Sequence, residues 1–261
     1  MGSIDRLLAL ATAHPHIAWT PGSDIRDARN AHATNTSEQL ASALGSAFDW
    51  LEGDVRLAAD GRPIMQHESS DAGGLELGDW LRVAHASGRG VKVDVKSRDA
   101  LHATIRATLM SGVPEHRLIF NLSDWSTADV IEVRRAFPAV MISISPAPGE
   151  ELNPRALLRL QVAARVAGGA MMFAIRQDQL TPGVVAALRP FGRVAAWNSP
   201  GLTNPDPGDP ARLRRMGVDA MIDLRQPQGP AQFISAAACE TAAWVLGWPA
   251  VRDALRAVGQ L

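Results

Sequence analysis

The chain has a single cysteine, Cys239, so an internal disulfide is excluded and a reducing compartment is the expected setting. An excess of charge is missing too. The formal net charge is −1, which argues against a nucleic-acid partner and against attraction to an anionic membrane surface. No apolar run approaches the roughly 18 residues of a membrane span. There is no internal repeat, no low-complexity tract, and no Gly-x-Gly-x-x-Gly after the first strand pattern. Lysine is nearly absent: of 26 basic residues only Lys92 and Lys96 are lysines, and both fall in Val91–Lys96, where a compact point charge is wanted. The basic cluster Arg212, Arg214 and Arg215 reads as the solvated face of a helix. Near the start, Leu7–Ala11 is short for a signal peptide, and Asp5 sits where such a segment is positive. Ser3 as a cap, with Ile4, Leu7, Leu8 and Ala11 at helical spacing, predicts an amphipathic helix instead. A soluble, cytoplasmic protein is expected.

What the chain does have is alternation. Apolar runs rich in β-branched residues are expected as strands near 28–32, 49–57, 91–96, 117–122, 139–145, 169–175, 192–198 and 217–224. Helical patterns separate them near 37–46, 76–87, 98–111, 125–136, 153–166, 180–189 and 209–216, and a longer one near 231–258 follows the last strand. Eight strands alternating with helices, with no break in composition across 261 residues, predict an α/β fold, a single (β/α)8 TIM barrel over 1–261 with a short N-terminal helix. A doubly wound open sheet is the alternative.

In a barrel the ligand site lies at the C-terminal ends of the strands, and the polar residues fall there. Glu52 and Asp54 are two apart, so on a strand both point to one face while Leu51, Val55 and Leu57 take the other. Asp60-Gly61 is a tight-turn signal that folds Pro63–His67 back beside them. Two carboxylates and His67 are thereby gathered, and like charges at that range resist joint ionisation unless a cation sits between them. A divalent metal is the simplest cation to supply. In the third strand the valines face helices, while Lys92, Asp94 and Lys96 face the interior, at a cost unless paired or ligand-bound. For Lys92 a structural ion pair is the preferred reading. His32 and Asn35 close the first strand, Asn121 the fourth, Trp197 the seventh, and Asp223 lies near the end of the eighth. Asn35, Asn121 and Trp197 are candidate substrate-binding residues. Asn121 alternatively caps a strand end, Trp197 alternatively packs in the core, and Asp223 is as apt to bind backbone as substrate.

His32-Ala-Thr-Asn35, Leu51-Glu-Gly-Asp-Val55, Pro63-Ile-Met-Gln-His67 and Gly90-Val-Lys-Val-Asp-Val-Lys96 resemble motifs of the menorin family, within the phospholipase C-like TIM-barrel phosphodiesterases. Gly217–Asp223 looks like the final strand of glycerophosphodiester phosphodiesterases, and the order of charged residues is similar to that of spider-venom sphingomyelinase D enzymes. The resemblance implies that Glu52, Asp54 and Asp94 hold one Mg²⁺ or Ca²⁺, that His32 and His67 are acid and base, and that Lys96 contacts phosphate. It implies a small phosphodiester or lipid head group as substrate. Where glycerophosphodiesterases carry His-Arg-Gly this chain has His32-Ala-Thr, and Glu68 follows His67 where they carry aspartate. Only one metal's worth of carboxylates is visible, so attack by a neighbouring hydroxyl, through a cyclic phosphate, is the expected route. A non-catalytic lipid- or phosphate-binding barrel is the alternative. A glycosidase is weaker, since its two carboxylates flank the substrate rather than share a strand face.

Overall fold

Period-two alternation gives each strand one apolar face for helices and one face for a common interior, and the chain closes on that interior. A computed structural model describes residues 2–13, 23–68, 74–147, 149–198 and 206–224. The expected helical segment near 231–258, Cys239 and most of the loop after Trp197 lie outside the described residues. The strands are β1 (Asn30–Ala31), β2 (Trp50–Leu57), β3 (Pro63–Met65), β4 (Gly90–Val95), β5 (Leu118–Leu122), β6 (Met141–Ile144), β7 (Met171–Arg176), β8 (Arg193–Trp197) and β9 (Ile222–Asp223). All but β3 are parallel to their neighbours, in the order β1-β2-β4-β5-β6-β7-β8-β9, forming a nearly closed eight-stranded barrel. β3 is the return arm of a hairpin, with Val55 opposite Met65, and Gly61 supplies the left-handed turn residue at φ 81°.

The helices are α1 (Ser3–Ala13), α2 (Ser37–Leu44), α3 (Leu77–Ala86), α4 (Leu101–Ser111), α5 (Thr127–Ala136), α6 (Pro154–Ala167), α7 (Pro182–Leu188) and α8 (Asp209–Arg215). Their starts are written locally. Thr36 with Gln39, and Ser126 with Asp129, form reciprocal capping boxes, while Asn153 and Thr181 cap helices that begin with proline. Ser3 is the first helical residue rather than the cap; Asp5 takes the Gly2 N–H, and the Ser3 hydroxyl meets that of Ser37 on α2. Among the described residues no helix is long and apolar enough to cross a membrane.

Two apolar bodies result. Between sheet and helices run Leu51, Val55, Val91, Val93, Val95, Phe120 and Phe173 with their helical partners. Inside the barrel, Trp50, Ile119, Met172, Ala195 and Met221 form a separate cluster with Ile25 and Ala28. That cluster is a floor, and Gly90 makes room for it: a Cβ there would stand 2.2 Å from the Trp50 ring. The polar layer rests above.

The first and last strands are shorter than expected, and one device explains both. The Asp49 carboxylate accepts the Arg29 N–H, while the Asp49 and Trp50 N–H groups converge on the Arg29 carbonyl. Likewise the Asp219 carboxylate accepts the Val194 N–H, and the Asp219 and Ala220 N–H groups converge on the Val194 carbonyl. Side chains take the place of ladder bonds, so only two residues of β1 and of β9 pair as strand. The basic cluster is also corrected. The exposed Arg212 pairs with the buried Asp209, whereas the half-buried Arg214 reaches the carbonyls of Val218, Ala220 and Arg26, tying the last strand's approach to the first strand's.

Candidate active site

The even residues of β2 and β4 point into the barrel above the Trp50 floor, so Glu52, Asp54 and Asp94 meet there, with carboxylate oxygens within 4.8 Å of one another. All three are buried. Each is held by a different neighbour. The Ala33 N–H donates to Glu52 Oε2 at 2.6 Å, from a residue forced into the left-handed region at φ 56°. Asn35 donates to Asp54 Oδ2 at 2.7 Å and accepts the Asp54 N–H at 2.9 Å. Asn121 and Ser123 both donate to Asp94 Oδ1 at 2.8 Å. Glu52 Oε1 is buried with no hydrogen-bond partner among the described residues.

Lys96, just past β4, answers part of this charge. Its Nζ lies 2.8 Å from Asp54 Oδ1 and 2.6 Å from Asp94 Oδ2. Burial works against the Lys96 charge, but Asp94, Asp54 and Glu52 outweigh it and hold the ammonium well above its ordinary range. Burial likewise pushes Asp54 and Asp94 up; the Lys96 charge, joined at Asp54 by His32 and the Asn35 hydrogen bond, outweighs it and keeps both below the usual carboxylate range. Glu52 goes the other way. Its burial dominates, and Asp54 and Asp94 add to it, so its carboxyl is held above the ordinary range. One of the three carboxylates therefore remains short of positive charge.

His32 follows β1. Its Nδ1 lies 2.8 Å from Asp223 Oδ2 and 3.5 Å from Glu52 Oε2. The same Asp223 oxygen accepts from Asn30 at 3.0 Å. An imidazole bonded to a carboxylate through Nδ1 presents Nε2 for other work. His67, on the strand end folded back by the hairpin, has its Nδ1 2.8 Å from Glu68 Oε1, and Arg56 Nε donates to its carbonyl at 2.7 Å. Both histidines thus stand on a carboxylate, one buried and one exposed.

These groups open onto one cavity of about 540 Å³. His32, His67, Asp94, Lys96, Asn121 and Trp197 all line it; Glu52 and Asp54 lie behind the wall. Asn35 is not on the wall either, since both ends of its amide are spent on Asp54. Trp197 stands at the end of β8, with its Nε1 donating to the Ala174 carbonyl at 3.3 Å. Lys92, read from the sequence as a structural ion-pair partner, instead lines the cavity with no ion pair among the described residues. The roles of Asp223 toward His32, of Ser123 toward Asp94 and of Arg56 toward His67 were not legible. Only the inward parity of Ser123 relative to Asn121 carried any signal.

The comparisons bear on the same residues. Residues 24–142 match the Menorin N-terminal domain model, a span holding the carboxylates, both histidines and both lysines. Human Protein FAM151B is 31% identical over 104 residues, 38% of this chain; the chain spans 36% of that protein's length. Among solved structures, the barrel is similar to a glycerophosphoryl diester phosphodiesterase from Parabacteroides distasonis, with TM-score 0.58, 13% identity, and coverage of 94% of this chain and 93% of that one. It is also similar to a glycerophosphodiester phosphodiesterase from Agrobacterium tumefaciens, with TM-score 0.54, 15% identity, and coverage of 81% and 98%. At these identities the likeness is one of fold.

Proposed function

We propose, for a chain whose residues 24–142 belong to the Menorin N-terminal domain family, a metal-assisted phosphodiesterase acting on a glycerophosphodiester- or phospholipid-like substrate. The observation that carries this reading is the buried trio of carboxylates, with Glu52 Oε1 left without a hydrogen-bond partner among the described residues, at the foot of a cavity that also holds two carboxylate-backed histidines. Hard oxygen donors gathered at that spacing fit Mg²⁺ or Ca²⁺, and Glu52, Asp54 and Asp94 would hold it. When bound, the cation supplies positive charge for the non-bridging oxygens of a phosphate.

The chain's own groups do the rest. His32, oriented by Asp223, takes the proton of an attacking hydroxyl at Nε2. His67, on the hairpin at the cavity's edge, gives its proton to the leaving oxygen as the phosphorus–oxygen bond breaks. The attacking hydroxyl belongs to the substrate itself, because a neighbouring hydroxyl is already held close to phosphorus and needs no second ion to activate it. The first product is then a cyclic phosphate. A screen of phosphodiesters with added Mg²⁺ or Ca²⁺ tests the activity, and phosphorus NMR at early times tests the route. Fast cleavage of a diester lacking the neighbouring hydroxyl, with solvent ¹⁸O in the first product, would sink the route while leaving the activity.

A second reading, a barrel that binds a phosphate or lipid head group without cleaving it, draws on one observation. Lys96 already spans Asp54 and Asp94, so part of the carboxylate charge is answered without a metal. Saturable head-group binding with no product in the screen would establish it.

A further inference from the structure

The cavity's cations are nearly all engaged. Lys96 sits on Asp54 and Asp94, Arg176 lies 2.6 Å from Asp178, and Arg56 is 4.0 Å from Glu68. His32 and His67 stand on Asp223 and Glu68. Lys92 is the exception: it lines the cavity, and it has no hydrogen bond or ion pair among the described residues. It projects from the same face of β4 as Asp94, one inward position nearer the floor, opposite Glu52 in the strand register. We infer that Lys92 is the residue that receives the ligand's anionic phosphate, the task the family resemblance suggested for Lys96.

Three arguments support the assignment, which rests on reading the cavity as a phosphate-ester site. An ammonium inside a barrel is costly to keep without a counter-charge, and Lys92 is near enough for Glu52 and Asp94 to feel its charge yet pairs directly with neither. Next, the charges match. Glu52, Asp54 and Asp94 together are balanced by Lys96 plus one divalent cation, which leaves the charge of Lys92 for a monoanionic phosphodiester. Finally, across the cavity from β4, the strands β7 and β8 and the approach to β9 present Ala174 above the floor residues Met172, Ala195 and Met221, and Arg176, the one cation there among the described residues, is paired with Asp178. An anion entering the cavity is therefore drawn to the β4 side, and the uncharged part of the ligand lies against the apolar wall.

The near-absence of lysine makes the test direct. A chain labelled with ¹³C at the lysine ε-carbon gives two side-chain signals, from Lys92 and Lys96, assigned with Lys92→Arg and Lys96→Arg. The full chain is titrated, with Mg²⁺ present, with glycerophosphoethanolamine and separately with inorganic phosphate. The Lys92 signal is expected to move and saturate with either probe, and the probe that saturates at lower concentration distinguishes a diester head group from free phosphate. Movement of Lys96 alone, or of neither signal, overturns the assignment. In parallel, Lys92→Gln should weaken probe binding about tenfold or more, as loss of a charged hydrogen bond does. It should keep the rise in melting temperature caused by Mg²⁺, and Lys92→Arg should restore most of the affinity. Unchanged affinity in Lys92→Gln, or a loss of melting temperature alone, makes Lys92 structural and overturns the inference. If Lys92 responds but no diester is ever cleaved, the proposed activity fails and the anion site stands.

Discussion

His32 depends on a residue 191 positions away: Asp223 holds its Nδ1, and that bond decides which ring nitrogen faces the cavity. Changing Asp223 to Asn keeps the shape but removes the charge. Measured on the best diester from the screen, it should lower kcat about tenfold or more, as loss of an orienting carboxylate typically does. His32→Ala should lower it by about two orders of magnitude. Equal kcat in Asp223→Asn and the native protein would show that the pairing has no part in the chemistry. The carboxylate trio makes its own forecast. At free Mg²⁺ or Ca²⁺ about a hundred times the dissociation constant, binding should add about 2.7 kcal/mol to stability. Asp54→Asn should abolish that gain, read as the metal-induced shift in melting temperature, and a flat melting temperature in the native protein would remove the metal site.

At the scale of elements, β2 and β4 carry the site because their inward residues stand over an apolar floor, and the outer layer of helices holds the barrel strands in place. The start of α5 shows how such a helix is fastened. Burial pushes the Asp129 carboxyl up, but the Ser126 hydroxyl and N–H and the Arg98 guanidinium outweigh it and hold it below its ordinary value of 3.8. A carboxyl depressed by folding stabilises fully above its unfolded value, and that contribution fades as pH falls through the folded one. Asp129→Asn should therefore cost about 1 kcal/mol near pH 7, the typical worth of a cap. Its deficit should shrink towards nothing as the pH is lowered below the ordinary carboxylate range. Urea unfolding at pH 7 and in acid checks this; a deficit that persists unchanged in acid would assign the cost to packing.

At the scale of the molecule, the barrel has a seam. Among the described residues no ladder joins β9 to β1, and side chains link the two: Asp223 to Asn30 and His32, and Arg214 to the carbonyls of Val218, Ala220 and Arg26. Arg214→Ala should cost about 1–3 kcal/mol, because the part-buried carbonyls of Val218 and Ala220 lose their donor. It should also speed hydrogen exchange in residues 218–224. Arg212→Ala removes an exposed guanidinium from Asp209, which keeps Gln177 and the Asp206 N–H as donors, and should change stability by about 1 kcal/mol or less. Equal effects from the two would mean the seam is closed by something else. The pattern of alternation was enough for the barrel, since period-two apolar faces and helical spacing are local properties that any stretch of chain expresses on its own. The inward parity of Glu52, Asp54 and Asp94 was legible for the same reason, and so was the hairpin that returns His67, because Asp60-Gly61 writes its turn. What each charge touches was not legible. That Asp223 reaches His32, that Asn35 is spent on Asp54, and that Lys96 is clamped while Lys92 has no direct partner among the described residues all depend on closing a ring. Partners around a ring are set by register and distance across it, and a sequence states only neighbours along the chain.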